Sequence, residues 1–174
     1  MIDNNWKRIA GIHVQQGGSI FAIWLALEPD TDLIQVYDAC EFKVEVPVVI
    51  AEGLNARGRW IPIGWEKSAK TVADQLLDRG CNMTYEPNDD SDWNAETVSR
   101  DIWERIRTKR FQADKRLKAW ADEYKSFNRD QQKIPKDTFP YMSATRHAMA
   151  LLSYAKRLNV SKSQKINYPK TAII

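Results

Sequence analysis

The sequence predicts an α/β sandwich built on a mixed central β-sheet, and three observations carry that prediction. The first is a series of β-capable segments with short polar links, "RIAGIHV", "IFAIWLAL" and "LIQVYDACEF", between Arg8 and Phe42. Links this short connect neighbouring antiparallel strands. The second is the alternation of helix and strand patterns from Pro47 to Glu86, an order that produces parallel crossovers. The third is the helical periodicity of most of the chain from Asn94 to Leu158.

Each element follows from local chemistry. "RIAGIHV" is apolar and leads into the turn at Gly17 and Gly18, after which "IFAIWLAL" returns as a near-continuous buried strand. "PDTD" supplies turn residues before the alternating third strand. "VPVVIAEGLNARGR" places Pro47 at a helix start and Gly58 at its stop. "WIPIGW" is a short strand. "SAKTVADQLLDRG" predicts a helix with Ser68 as N-cap, an apolar face of Val72, Leu76 and Leu77, and Gly80 as terminator. "CNMTYE" is a further strand and "PNDDSD" a loop. In "NAETVSRDIWERIRTKR", Val98, Ile102 and Ile106 recur every fourth residue and form one buried stripe. Leu117, Trp120, Tyr124 and Phe127 do the same in "KRLKAWADEYKSF". A polar hairpin, "NRDQQKIPKDTFP", leads to the last helix, "YMSATRHAMALLSYAKRL". Residues 1–158 are expected to form one domain and 159–174 a basic, flexible tail.

At 174 residues the chain has room for one domain with a substantial core. The apolar run after Ser19 is far shorter than the roughly 20 residues of a membrane span. With no basic-then-apolar leader at the start, a cytosolic location is expected. Cys40 and Cys81 show no metal-ligand spacing and are expected to be reduced thiols. Net charge is +3 but unevenly divided: residues 1–99 hold 8 basic against 16 acidic side chains, and residues 100–174 hold 18 against 7. That asymmetry suits either an anionic partner for the C-terminal half or a solvated helix surface.

Several chemistries are excluded. "QQGGSI" has glycines but no lysine, so there is no phosphate loop. GxSxG, HExxH and GxGxxG are absent, and two histidines, His13 and His147, cannot make a histidine-rich zinc site. His147 falls within a helix whose apolar face includes Ala148, Leu151 and Leu152, and is expected to be an ordinary surface or half-buried residue.

Five segments, in order, resemble the C-terminal nuclease domain of the large terminase subunit of tailed phages and prophages. "YMSATRHAMAL" is similar to that family's closing "LMSATRYA" helix, and "DIWERIRTKRF" to its "MLERMQTGR" helix end. "WIPIGW" and "ADQLLDRGCNM" resemble its "IPVAW" strand and "LADQYRDxGLNM" helix, and "DLIQVYDACEF" its third strand. The resemblance runs from about Trp6 to Met149. It implies an RNase H-like, three-layer fold with helices flanking the mixed sheet, and a two-metal endonuclease that cuts concatemeric DNA. In that chemistry carboxylates from separate elements hold two divalent ions about 4 Å apart.

The sequence departs from the family pattern at all three aspartate positions. His13 stands in "GIH" where the family has "GID"; Ser68 falls near the second position, after a shorter loop; Phe139 and Pro140 precede "YMSATR" where the family has paired aspartates. A neutral imidazole is a poor ligand for Mg²⁺ and supplies no negative charge. Glu66 and Asp137 lie close by in sequence and are expected to be solvated charges, the alternative being displaced ligands for Mg²⁺ or Mn²⁺. The resemblance therefore implies a degenerate nuclease site with no cofactor. Its partners would be double-stranded DNA and, among proteins, the terminase ATPase domain, the portal or the small terminase subunit, in a bacterial host cell. The absent phosphate loop leaves no complete packaging motor in this chain. Lys133 and Lys136 in the hairpin, with Arg105, Arg107, Lys109 and Arg110, are candidate phosphate contacts. Arg146, within the matched "SATR", is expected to be structural.

Overall fold

The computed structural model describes residues 2–43, 45–85, 95–127 and 138–159. A six-stranded mixed sheet runs through the middle, in the order β5-β4-β1-β2-β3-β6. The strands β1 (Lys7–Val14), β2 (Ile20–Leu27) and β3 (Ile34–Phe42) form the expected antiparallel meander. After α1 (Pro47–Asn55), β4 (Ile63–Trp65) joins β1 in parallel. After α2 (Lys70–Leu77), β5 (Met83–Tyr85) joins β4, also in parallel. The helix α3 (Ala95–Arg107) is followed by β6 (Phe111–Ala113), which lies parallel to β3 at the opposite edge. Then come α4 (Lys118–Ser126) and α5 (Pro140–Ala150).

Two cores, one on each face, make this a three-layer sandwich. Ile9, Ile23, Leu25, Ile34 and Val36 meet α3, α4 and α5 through Val98, Ile102, Trp120, Ala144 and Ala148. Ala10, Ile12, Ala22, Trp24 and Ile63 meet α1 and α2 through Ile50, Leu54, Ala73 and Leu76. Alternate residues of β2 supply both cores, which is why the strand is apolar throughout instead of alternating. The predicted stripe of α3 is thus correct, with Ile106 packed at its margin.

Several local expectations are corrected. Ser68 does not cap α2: the chain enters through a 3₁₀ turn at Lys67–Ala69, and Ser68 is exposed. Ala73 and Leu76 are the buried face of α2, whereas Leu77 is 54% exposed. The last helix stops at Ala150 and not near Leu158, because the chain turns through Leu152–Tyr154 to pair its backbone with Arg8. The strand β6 has no separate signal; its three residues follow directly on the helical pattern of α3. Cys40 and Cys81 are both free thiols. No helix among the described residues is long and apolar enough to cross a membrane.

Helix α5 lies unusually close to the sheet, and glycines make that possible. Gly11 of β1 and Gly64 of β4 are register partners. A Cβ on Gly11 would collide with the Ala144 carbonyl oxygen and sit 2.7 Å from Ala148 N; on Gly64 it would sit 2.5 Å from the His147 carbonyl oxygen. The paired glycines form a saddle on which the α5 backbone rests, and nine of its eleven residues are buried. From the outer side α4 holds it in place. Trp120 Nε1 donates to Thr145 Oγ1 (3.0 Å), which donates to the Tyr141 carbonyl (2.7 Å). Glu123 accepts the backbone N–H groups of Tyr141 (3.1 Å) and Met142 (2.7 Å), closing the open donors of the helix start.

Candidate functional site

The saddle also builds the site. Side chains alternate along strands, so the residues two beyond Gly11 and Gly64 emerge on the same face, under α5, at the C-terminal ends of two parallel strands. Those residues are His13 and Glu66. His13 Nδ1 is 3.5 Å from Glu66 Oε1, with the side chains 1% and 13% exposed. The ends of parallel strands are where α/β sheets open crevices for ligands. The repeated Gly-x-His and Gly-x-Glu patterns, "GIH" and "GWE", are the trace of this convergence in the sequence, and they acquire meaning only once β4 is registered on β1.

From above, α5 delivers His147, whose ring centroid is 6.1 Å from that of His13. His147 Nδ1 is 2.7 Å from the Ile12 carbonyl oxygen, which can only accept, so Nδ1 carries the proton. Nε2 is then the acceptor, and Arg146 Nη2 lies 3.3 Å from it. Burial, followed by the adjacent Arg146 guanidinium, pushes His147 down to about 4, so the ring is neutral. The expectation of a surface or half-buried histidine is therefore corrected: His147 is 3% exposed, because the glycine saddle draws that face of α5 onto the sheet. The Ile12 carbonyl sets this tautomer, and Arg146 lies beside the nitrogen left as acceptor, in keeping with a structural role.

The other expected site residues are distributed unevenly. Glu66 is not a solvated surface charge; the turn after β4 sets it against His13. Ser68 is exposed and points to no role here. Pro140 is buried in the first turn of α5, about two helical turns before His147. Beside it Tyr141 packs edge-on against Phe21, with ring centroids 5.0 Å apart. Asp137, Lys133 and Lys136 lie outside the described residues. Arg107, Lys109 and Arg110 are at the other end of the sheet: Phe111 pairs with Ile34, which pairs with Leu27, which pairs with Lys7. Six residues of β1 separate that end from His13, about 20 Å. Arg107 bonds Glu104, and Arg110 and Arg105 both bond Asp32 (3.1 and 2.8 Å). They do not accompany the His13 edge.

No family model matches the sequence, and no curated protein does. Solved structures do match. The nuclease domain of the P22 large terminase superposes with a TM-score of 0.79 at 16% identity, covering 90% of this chain and 87% of that one. The large-terminase nuclease domain of bacteriophage SPP1, with bound Mn, gives 0.65 at 15% identity, covering 82% and 84%. That of the thermophilic phage G20c, with bound zinc, gives 0.58 at 13%, covering 84% and 82%. The fold is that of a large-terminase nuclease domain. It is also RNase H-like, as the ordered segments of the sequence imply.

A pair of hard divalent ions asks more of a donor set than the described residues bring together at this edge. Such ions need several anionic oxygens converging. Among the described residues Glu66 is the carboxylate set against His13, Glu41 stands two strands away in the same row through Phe21, and both nitrogens of His147 already have hydrogen-bond partners. Among the described residues no group of three or more His, Cys, Asp or Glu side chains could hold a metal.

Proposed function

We propose that this chain is the nuclease-type domain of a phage or prophage DNA-packaging terminase, and that it engages duplex DNA or a packaging partner without two-metal hydrolysis. The reading assigns residues 1–158 to the domain and 159–174 to a basic tail, in the cytoplasm of a bacterial host. The observation that carries it is the pairing of His13 with Glu66 at the edge where the family pattern expects carboxylates. An imidazole beside Glu66 replaces a bridging oxygen with a group that contributes no negative charge, which weakens the electrostatic basis for gathering two cations. Duplex DNA is the partner favoured by the fold neighbours and by the basic C-terminal half. Protein partners for the same role are the terminase ATPase domain, the portal and the small terminase subunit.

A plasmid-cleavage assay supplemented with Mg²⁺ or Mn²⁺ tests the reading, alongside binding to a labelled duplex. No nicking and salt-sensitive binding are expected. A second reading, an endonuclease using displaced carboxylates, is kept because Glu66 reaches the site. Metal-dependent cleavage that disappears in Glu66→Gln or Asp137→Asn would establish it and end the first.

A further inference from the structure

The end of the sheet remote from His13 carries an arrangement that neither reading of the site uses. After α5 the chain returns to the start of β1, and Arg8 and Lys156 exchange both backbone hydrogen bonds (2.7 and 3.1 Å) in an antiparallel bridge. The bridge sets Arg8 and Lys156 directly opposite each other on one face of the strand end and, by the same register, Lys7 opposite Arg157 on the other. Like charges facing each other across a strand pair are destabilising. Arg59 precedes β4 at this same end of the sheet, and the next residue, Trp60, has its ring 5.7 Å from the Arg8 guanidinium.

Lys7, Arg59, Lys156 and Arg157 are all exposed. None of them forms an ion pair among the described residues, unlike Arg105, Arg107 and Arg110 farther along the same end. The acids at this end include Asp3, Glu28, Asp30, Asp32 and Asp78; among the described residues none forms an ion pair with these four, and Asp32 is taken by Arg105 and Arg110. Three more lysines, Lys162, Lys165 and Lys170, follow Arg157 in the sequence, with no acid after Asp137. Arg8 is different. Its guanidinium is stacked by Tyr37 (5.6 Å) and Trp60, so it braces the rim from inside. Folding alone gives no reason to gather four exposed cations at a strand bridge that could have been neutralised by one carboxylate.

We propose that Lys7, Arg59, Lys156 and Arg157 form a phosphate-binding rim for the backbone of duplex DNA, about 20 Å from His13 along β1. The proposal rests on the DNA-binding reading above and assigns that binding to a different face from the hairpin and from Arg107, Lys109 and Arg110. Backbone contacts of this kind are sequence-independent, and each phosphate neutralised steepens the salt dependence by about 0.9 in log–log slope.

Fluorescence anisotropy with a short labelled duplex across a salt series tests it. The variants are Lys7→Gln/Lys156→Gln/Arg157→Gln and, at the other corner, Arg107→Gln/Lys109→Gln, each checked for an unchanged urea midpoint. The rim variant is expected to bind at least about tenfold more weakly and to lose roughly 2–3 from the slope, while the other keeps wild-type behaviour. A rim variant matching a DNA-binding wild type, or loss confined to the Arg107 corner, overturns the rim alone. Wild-type protein that fails to bind DNA at any salt overturns the DNA-binding reading itself. A rim variant that keeps its DNA slope but loses binding to polyglutamate replaces DNA with an acidic protein partner.

Discussion

Substituting Gly11 by alanine is the most direct test of the saddle beneath α5. The new methyl would be 2.7 Å from Ala148 N and closer still to the Ala144 carbonyl oxygen, against ordinary contact beginning at 3.4 Å. Both obstacles are backbone, so no side chain can swing aside, and α5 has to lift by about 1 Å. A gap of that size forfeits a quarter to a half of the dispersion energy of each contact it opens, along a helix with nine buried residues. Overpacking of this type costs roughly 1–3 kcal/mol, and the rigid neighbours put Gly11 at the top of that range. Replacing a strand glycine returns about 0.5–1 kcal/mol through lower backbone entropy in the unfolded chain, leaving a net loss of about 2–2.5 kcal/mol. Urea unfolding followed by tryptophan fluorescence reads this as a lower midpoint at constant slope. Gly53→Ala is the control. Its methyl would first meet the half-buried Phe42 ring, a side chain that can give way, and alanine favours the helix by about 1 kcal/mol. Gly11→Ala within about 0.5 kcal/mol of wild type, or less damaging than Gly53→Ala, would refute the saddle.

Two further outcomes follow from the same helix. Burial holds His147 at about 4 against an ordinary 6.5. Its folded value is the lower one, so the unfolded chain takes up the proton first. Stability should be full above pH 6.5 and fall as pH drops towards 4, by on the order of 3 kcal/mol. His147→Asn, which keeps a donor for the Ile12 carbonyl, should flatten urea midpoints measured across that window; an unchanged slope would count against a neutral His147. Glu123→Ala strands the N–H groups of Tyr141 and Met142 and should cost about 1–3 kcal/mol. Burial raises the Glu123 carboxyl above its ordinary 4.5, opposed by those two bonds. Its own contribution therefore falls as pH rises through that raised value, opposite in sign to His147. Glu123→Gln should remove that component, and a pH profile unaltered by the change would show that the carboxyl does not titrate in the fold.

How much of this was legible in the sequence varies with the range of the interaction. The meander, α1 from Pro47 and the stripe of α3 were visible because periodicity, turn residues and helix ends are local signals. The departure at His13 was visible too, since it is a difference in residue type within a recognisable strand. The short strand β6 was not, because three residues carry no period and depend on the exposed edge of β3. Nor was Glu66, which looks like any surface acid until β4 pairs with β1 in one particular register.

The sequence by itself determined most of the segments that became strands and helices, their order, and the presence of His13 near the end of β1. Backbone sterics and the burial of apolar faces operate over a few residues, so they are written along the chain. Only the tertiary structure decided that Gly11 and Gly64 meet, that His13 faces Glu66 beneath a neutral His147, and that Lys7 and Arg157 share a rim. Those are contacts between residues 53 to 150 positions apart, fixed by strand register and helix approach, and no local pattern encodes a distance.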